Sequence, residues 1–268
     1  MRVTVLGCGT SSGVPLIGCD CAVCRSSDPL NRRRRCAILV ETRGITILVD
    51  TGPDLRQQLL DAKVRSLDAV LYTHAHADHV HGIDDLRALN NVLGRAIDAY
   101  AHPAVFARIR ARFDYAFQGQ EGGAGFWRPA LRQHDIDGPF RIGAVEVVPF
   151  RQGHGRGASW GFRFGPFAYS TDCDQLDETA FAALAGIEVW VVDALRDDPH
   201  PSHAHLHRTL GWIERVRPRQ AYLTHLNHEV DYASWAAKLP DGVRPAHDGL
   251  TIELAEAPHE RCRAASSA

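Results

Sequence analysis

Three histidines and one aspartate fall within six residues at His74-Ala75-His76-Ala77-Asp78-His79, directly behind the apolar run Ala69-Val70-Leu71-Tyr72. In extended backbone, residues two apart project to the same side, so His74 and His76 converge. A chain that turns into a helix after them brings Asp78 and His79 back toward the same point. Imidazole and carboxylate donors together suit zinc, manganese or iron. A set that alternates in this way divides naturally between two neighbouring cations. Two cations roughly 3.5–4 Å apart can share a hydroxide and clamp a phosphoryl or carbonyl oxygen. The chemistry to expect is therefore metal-assisted hydrolysis, with Asp78 counted among the catalytic groups as well as the ligands. A solvated histidine-rich loop gives no reason for such a cluster to follow an apolar strand.

A dinuclear site needs more donors, and His154, Asp172 and His225 each stand as polar residues behind an apolar run. His154 sits between two glycines, where backbone and metal can approach closely. Asp172 has two oxygens with which to bridge. Singly, each reads as a cap, a turn or a satisfied histidine; with the first cluster they read as a ligand set. Separately, Cys19, Cys21 and Cys24 place three thiols in six residues, enough to wrap one soft cation, with no fourth ligand nearby in sequence. Cys8, Cys36, Cys173 and Cys262 read as ordinary thiols, with Cys173 close enough to Asp172 to be oxidation-sensitive. Four histidines in His200-Pro201-Ser202-His203-Ala204-His205-Leu206-His207 offer a proton donor for a leaving alkoxide. The run Arg32-Arg33-Arg34-Arg35 has two readings, surface ion pairs flanking the cysteine loop or bidentate phosphate contacts.

The elements that must position these residues follow from hydropathy patterning. Strands are expected at Val3 to Leu6, Ala37 to Glu41, Ile45 to Val49, Ala69 to Tyr72, Val145 to Phe150, Val189 to Val192 and Ala221 to Leu223. Helices are expected at Asp54 to Ala62, Ile83 to Leu93, Pro103 to Tyr115, Gln175 to Leu184 and Leu206 to Val216. That alternation implies layered α/β structure. Gln118 to Pro129 reads as a long loop and Ala255 to Ala268 as a polar tail. No change of composition marks a linker, so residues 1–268 are expected to form a single domain. A net charge of −2 gives no global attraction to nucleic acid or anionic membrane. No stretch approaches the roughly 20 apolar residues of a membrane span, and no signal peptide is visible. Seven cysteines, an odd number with three crowded together, suit metal thiolates in a reducing compartment, so a cytoplasmic location is expected.

Taken together, Thr73-His74-Ala75-His76-Ala77-Asp78-His79, the preceding Val49-Asp50-Thr51-Gly52 and the later His154, Asp172 and His225 resemble the metallo-β-lactamase superfamily over nearly the whole chain. The opening Leu6-Gly7-Cys8-Gly9-Thr10-Ser11-Ser12-Gly13-Val14-Pro15 and the cysteine cluster look most like its PhnP branch. The resemblance implies a four-layer αββα sandwich. It places His74, His76 and His154 on one metal, Asp78, His79 and His225 on the other, and Asp172 between them, with Asp50 orienting a ligand from behind. It supplies His228 as the fourth ligand of a structural zinc held by Cys19, Cys21 and Cys24 in a loop at about residues 18–25. The branch's catalytic histidine falls on His203, with His205 as second choice and as a departure from an acidic residue expected there. The implied activity is a phosphodiesterase using two divalent cations, Mn2+, Zn2+ or Fe2+, on a small phosphodiester or cyclic phosphate such as 5-phosphoribosyl 1,2-cyclic phosphate. A homodimer is implied as well. The alternatives are a cofactor-biosynthesis or metal-carrier protein resembling PqqB, and a tRNA-processing nuclease, whose protruding RNA-binding arm has no counterpart in this sequence.

Overall fold

The computed structural model of the chain describes residues 1–119 and 125–255. Among the described residues, fourteen strands are arranged in two seven-stranded sheets. The first comprises β1 (Arg2–Gly7), β2 (Ala37–Thr42), β3 (Ile45–Val49), β4 (Ala69–Leu71), β5 (Ile97–Ala101), β6 (Leu131–Asp135) and the late strand β14 (Thr251–Glu253), in the order β14-β1-β2-β3-β4-β5-β6. The second comprises β7 (Phe140–Ile142), β8 (Val145–His154), β9 (Gly157–Phe164), β10 (Phe167–Ser170), β11 (Val189–Asp193), β12 (Gln220–Thr224) and β13 (Val243–Pro245), in the order β13-β12-β11-β10-β9-β8-β7. Outer layers are built by α1 (Leu55–Asp61), α2 (Ala77–Val80), α3 (Leu86–Leu93) and α4 (Pro103–Phe113) on one side, and by α5 (Glu178–Leu184), α6 (Leu206–Val216) and α7 (Tyr232–Lys238) on the other.

Alternation along the strands explains the layers. Val3, Val5, Ile38, Val40, Ile47 and Val49 face the core between the sheets, where they meet Val147, Phe162, Phe164, Tyr169 and Val191. Their neighbours Leu6, Leu39, Leu48 and Val70 point the other way, against Leu55, Leu86, Phe106 and Ile109 of the helices. Trp190 and Val192 pack outward onto Leu184, Leu206 and Trp235. Strands covered on both faces must be apolar at almost every position, so they appear in sequence as continuous hydrophobic runs. Three cores stacked between four layers form the expected αββα sandwich.

Parallel pairing fixes where the chemistry falls. β3, β4 and β5 run parallel, as do β10, β11 and β12, and β8 points the same way as β10 because both are antiparallel to β9. Their carboxyl ends therefore gather at one edge, the place where open α/β sheets bind ligands. The Trp160 amide of β9 donates to the Thr73 carbonyl behind β4 at 2.9 Å, joining the sheets at that edge. Gly161 is needed within β9: a Cβ there would lie 2.3 Å from the Phe150 ring. Within the loop expected at Gln118 to Pro129, residues 120–124 lie outside the described residues, as does the tail from 256 on, including Cys262.

Candidate metal centre

Each predicted ligand stands at or just beyond the end of a strand. His74 and His76 follow β4, Asp78 and His79 lie in α2, His154 ends β8, Asp172 follows β10 and His225 follows β12. Asp50, Asp172 and His225 take left-handed backbone, with φ of 67°, 52° and 59°. That region is uncommon for non-glycine residues, though Asp and His enter it more readily than most, and here it turns their side chains toward a common centre.

Two quartets result: His74, His76, His154 and Asp172, and Asp78, His79, Asp172 and His225. In the first, His76 Nδ1 is 3.3 Å from His154 Nε2, and Asp172 Oδ2 is 3.7 Å from His74 Nε2 and 3.8 Å from His154 Nε2. In the second, His79 Nε2 is 3.2 Å from Asp78 Oδ2 and 3.1 Å from Asp172 Oδ1. His225 Nε2 completes it at 3.5 Å from Asp172 Oδ2 and 4.0 Å from Asp78 Oδ2. A tetrahedron with bonds of ~2.0–2.1 Å has edges of ~3.3–3.4 Å, so these spacings are those of donors around a cation. The Nε2 atoms of His74, His79 and His225 are buried with no hydrogen-bond partner among the described residues. Buried polar atoms ordinarily find partners, and three orphaned lone pairs facing shared carboxylates fit divalent cations.

The rear nitrogens are fixed by hydrogen bonds. His79 Nδ1 donates to Asp50 Oδ2 at 2.7 Å, and Asp50 also accepts from the Thr73 amide at 2.9 Å and the Thr73 hydroxyl at 2.8 Å. With its proton given to Asp50, the Thr73 hydroxyl accepts from His74 Nδ1 at 2.9 Å. His154 Nδ1 donates to the Ser202 carbonyl at 2.7 Å. Each bond selects the tautomer that leaves Nε2 free toward the centre. Asp50 thus fixes the His79 ring from behind. Burial resists charging of Asp78 and Asp172, but the surrounding histidines, His79 for the first and His225 and His79 for the second, hold both carboxyls well below the usual range. Burial, with His79 beside it, keeps His74 well below the usual imidazole range. Asp78, Asp172 and His74 are therefore in the forms that bind metal. Burial opposes charge on His79, but the carboxylates of Asp172, Asp78 and Asp50 hold it well above the usual imidazole range, so a cation there would displace a proton from it.

The candidate proton donors separate. His203 Nδ1 donates to Asp193 Oδ2 at 3.0 Å, and its ring lies parallel to that of His225 with centroids 4.4 Å apart. Burial opposes charge on His203, yet the Asp193 carboxylate pushes it up to about 9. His205 does not join the cluster: it caps α6 and its ring stacks with that of His207 at 6.3 Å. His200 is half-buried beside His203, with ring centroids 5.2 Å apart. Sequence reasoning passed over Asp193, although it closes an apolar strand in the same manner as Asp50 and Asp172. Ser202 contributes a backbone carbonyl, and side-chain motifs carry no signal for that.

The cysteine cluster does acquire a fourth member from far away. Cys19 Sγ and Cys21 Sγ each lie 3.6 Å from His228 Nδ1, and Cys24 completes the group. Zinc bonds of ~2.3 Å to sulfur and ~2.05 Å to nitrogen at a tetrahedral angle put those atoms ~3.6 Å apart. Hydrogen bonds from the Cys24 amide and His228 pull Cys21 down to about 6, favouring thiolate. Arg33 turns inward rather than outward, donating to the Asn227 and Val230 carbonyls at 3.0 and 2.8 Å. Arg34 and Arg35 pair with Asp61 and Asp54. The arginine run therefore braces the segment carrying His225 and His228. Cys21→Ser is expected to lose one zinc and roughly 4 kcal/mol or more of stability, as metal loss does. An unchanged melting temperature and metal content would sink that role. Cys173 is fully buried, and burial raises its thiol well above the usual range, so the oxidation sensitivity expected from sequence is not supported by its environment.

An αββα sandwich with two His/Asp quartets sharing one carboxylate at its sheet edge is the architecture of a metallo-hydrolase. The family model for the beta-lactamase superfamily domain matches residues 45–226, and the chain belongs to that superfamily. Within it the chain belongs to the PhnP family: the crystal structure of a diphosphatase of that family is 36% identical, with a TM-score of 0.88 over 95% of this chain and 98% of that one. The octanoyltransferase of Porphyromonas gingivalis is 36% identical over 261 residues, which are 96% of this chain but 52% of that protein. Coenzyme PQQ synthesis protein B of Rhodopseudomonas palustris is 30% identical over 124 residues, 41% of this chain and 39% of that protein. The chain thus spans about half, or less, of the length of these curated relatives. Zn2+-bound PqqB from Methylobacterium extorquens superposes with a TM-score of 0.76 over 95% of this chain and 100% of that one, at 20% identity, a likeness of fold. No helix among the described residues is long and apolar enough to cross a membrane.

Proposed function

We propose that this chain is a dinuclear metal-dependent phosphodiesterase hydrolysing a small cyclic phosphate or phosphodiester, with 5-phosphoribosyl 1,2-cyclic phosphate as the leading substrate. The observation that carries the reading is the pair of donor quartets meeting at Asp172. His74, His76 and His154 would hold one cation, Asp78, His79 and His225 the other, and Asp172 both. Manganese or zinc fits this donor set, as does iron. Cations bound there would supply Lewis acidity toward phosphoryl oxygens and a hydroxide nucleophile near neutral pH.

The chain's own residues do the rest. Asp50, Thr73 and the Ser202 carbonyl keep the ligand rings aimed. Asp193 holds His203 protonated near neutral pH and orients its ring beside the cluster, so that Nε2 can deliver a proton to the departing alkoxide. Cys19, Cys21, Cys24 and His228 would hold a structural zinc that fixes the opening loop against the catalytic edge. The homodimer implied by the resemblance and the single-domain organisation expected from the absence of a linker belong to the same proposal.

Elemental analysis of purified protein, paired with hydrolysis of bis(p-nitrophenyl) phosphate and a ribose cyclic phosphate under added manganese or zinc, tests it. The expected result is one structural zinc plus two further cations per chain, with diesterase turnover. One tightly held zinc and no turnover with any added metal would refute it.

A further inference from the structure

Of the donors in the first quartet, His76 is the least firmly held. His74 is fixed from behind by the Thr73 hydroxyl and His154 by the Ser202 carbonyl. His76 is exposed and turns Nδ1 toward His154 Nε2, and its outer nitrogen, Nε2, has no hydrogen bond among the described residues. Its backbone is hardly better supported. The Thr73 carbonyl accepts from the Trp160 amide at 2.9 Å, and the His76 carbonyl from the His79 amide at 3.1 Å. Between those two carbonyls a single backbone group is hydrogen-bonded among the described residues. It is the Ala75 carbonyl, which accepts from Arg112 Nη1 at 2.5 Å.

Arg112 stands in the last turn of α4, and its guanidinium has no ion pair among the described residues. The residues that follow it extend the contact. The Phe113 ring meets the His81 ring edge-on with centroids 5.6 Å apart, and the Tyr115 hydroxyl donates to Asp84 Oδ1 at 2.7 Å. The end of α4 and the turn after it therefore grip the segment from Ala75 to Asp84 at three points, of which Arg112 is the one beside the ligands. A guanidinium next to a cation site repels the ions that the site binds. Arg112 can favour binding there only by holding the loop, whereas loss of its charge alone would tighten binding.

Resting on the dinuclear reading above, we infer that Arg112 is a positioning residue for the cation of His74, His76 and His154. Through the Ala75 carbonyl it keeps His76 aimed at that cation, in place of the rear hydrogen bond that the His76 ring lacks.

The test is chelator competition on zinc-loaded wild type, Arg112→Met, Arg112→Lys and His76→Ala, with melting temperatures measured alongside. Methionine keeps a long apolar stem but neither donor nor charge, and lysine keeps the charge and a donor. Arg112→Met should weaken, about 10–100-fold, the same zinc that His76→Ala releases, the range for groups that orient a ligand from behind. Arg112→Lys should recover part of that loss, while the other catalytic zinc and the cysteine-held zinc keep wild-type affinity. Unchanged or tighter binding in Arg112→Met overturns the inference. So does equal weakening of all three zincs with a lowered melting temperature, which would make Arg112 an anchor of the fold alone. A wild type that holds no pair of zincs beside the cysteine-held one overturns the dinuclear reading, and this inference with it.

Discussion

Asp172→Asn is expected to leave a folded protein that binds fewer catalytic cations and hydrolyses phosphodiesters about 10³-fold more slowly or worse. Asp172 is the one residue common to both quartets, with Oδ1 toward His79 and Oδ2 toward His74, His154 and His225. An amide offers one neutral oxygen where the carboxylate offers two charged ones, so it cannot serve both cations. Metal stabilisation of developing charge is worth several kcal/mol, and each ~1.36 kcal/mol is tenfold in rate. Asparagine is the informative replacement because it tolerates the left-handed backbone that Asp172 adopts at φ 52°. Loss of activity in this variant therefore reports the donor atoms and not a collapsed turn. Metal analysis, circular dichroism and turnover on one preparation would decide it; a variant holding both catalytic cations at wild-type rate removes Asp172 from the bridge.

Why some of this site could be read from sequence and some could not has a physical basis. The contiguous cluster from His74 to His79 was legible because β4 delivers it to the sheet edge in one step, with the alternation of extended backbone already aligning its histidines. His154, Asp172 and His225 were legible only as a set, since each by itself is an ordinary strand terminator. The left-handed backbone of Asp172 and His225, which aims their side chains, leaves no mark in residue type. Most strands buried on both faces announced themselves as apolar runs, but the four-residue β10, though buried throughout, went unread. β6 did not: it is an edge strand whose Arg132, Gln133 and Asp135 stay at least partly exposed. β9 was hidden by Gly157 and Gly161, residues of low strand propensity, the latter kept small by the Phe150 ring. Arg33 misled in the opposite direction. A run of four arginines suggests a surface, yet carbonyls of the segment after β12 needed a buried donor and one guanidinium supplies it. His205 stands apart from the cluster because four histidines in eight residues cannot all face one point, and α6 begins between His203 and His207.

His203→Ala should lower turnover by about 10²–10⁴-fold, the range for loss of a positioned general acid, with metal content unchanged. His203 lies outside the two catalytic quartets, so its loss removes a proton source and not a ligand of that pair. Asp193, fully buried at the end of β11, accepts from His203 Nδ1 and from the Cys173 amide at 2.8 Å, which fixes the carboxylate and through it the ring. Because Asp193 raises the folded-state value of His203 from 6.5 to about 9 against the opposing effect of burial, stability from this pair is fully present below about pH 6.5 and is lost as pH rises through about 9. The same sign governs catalysis: the acid is available at neutral pH and disappears on the alkaline side. Cations bound beside the ring would lower its value, so the alkaline limb of kcat should lie at or below pH 9. Leaving-group chemistry gives the sharper readout. A nitrophenolate departs with little need of a proton and an alkoxide departs poorly without one, so His203→Ala should harm sugar phosphodiesters far more than bis(p-nitrophenyl) phosphate. His205→Ala, altering a ring stacked on His207 away from the cluster, should stay near wild type on both. An equal loss on the two substrates would assign His203 to positioning, and wild-type rates in His203→Ala would remove it from the mechanism altogether.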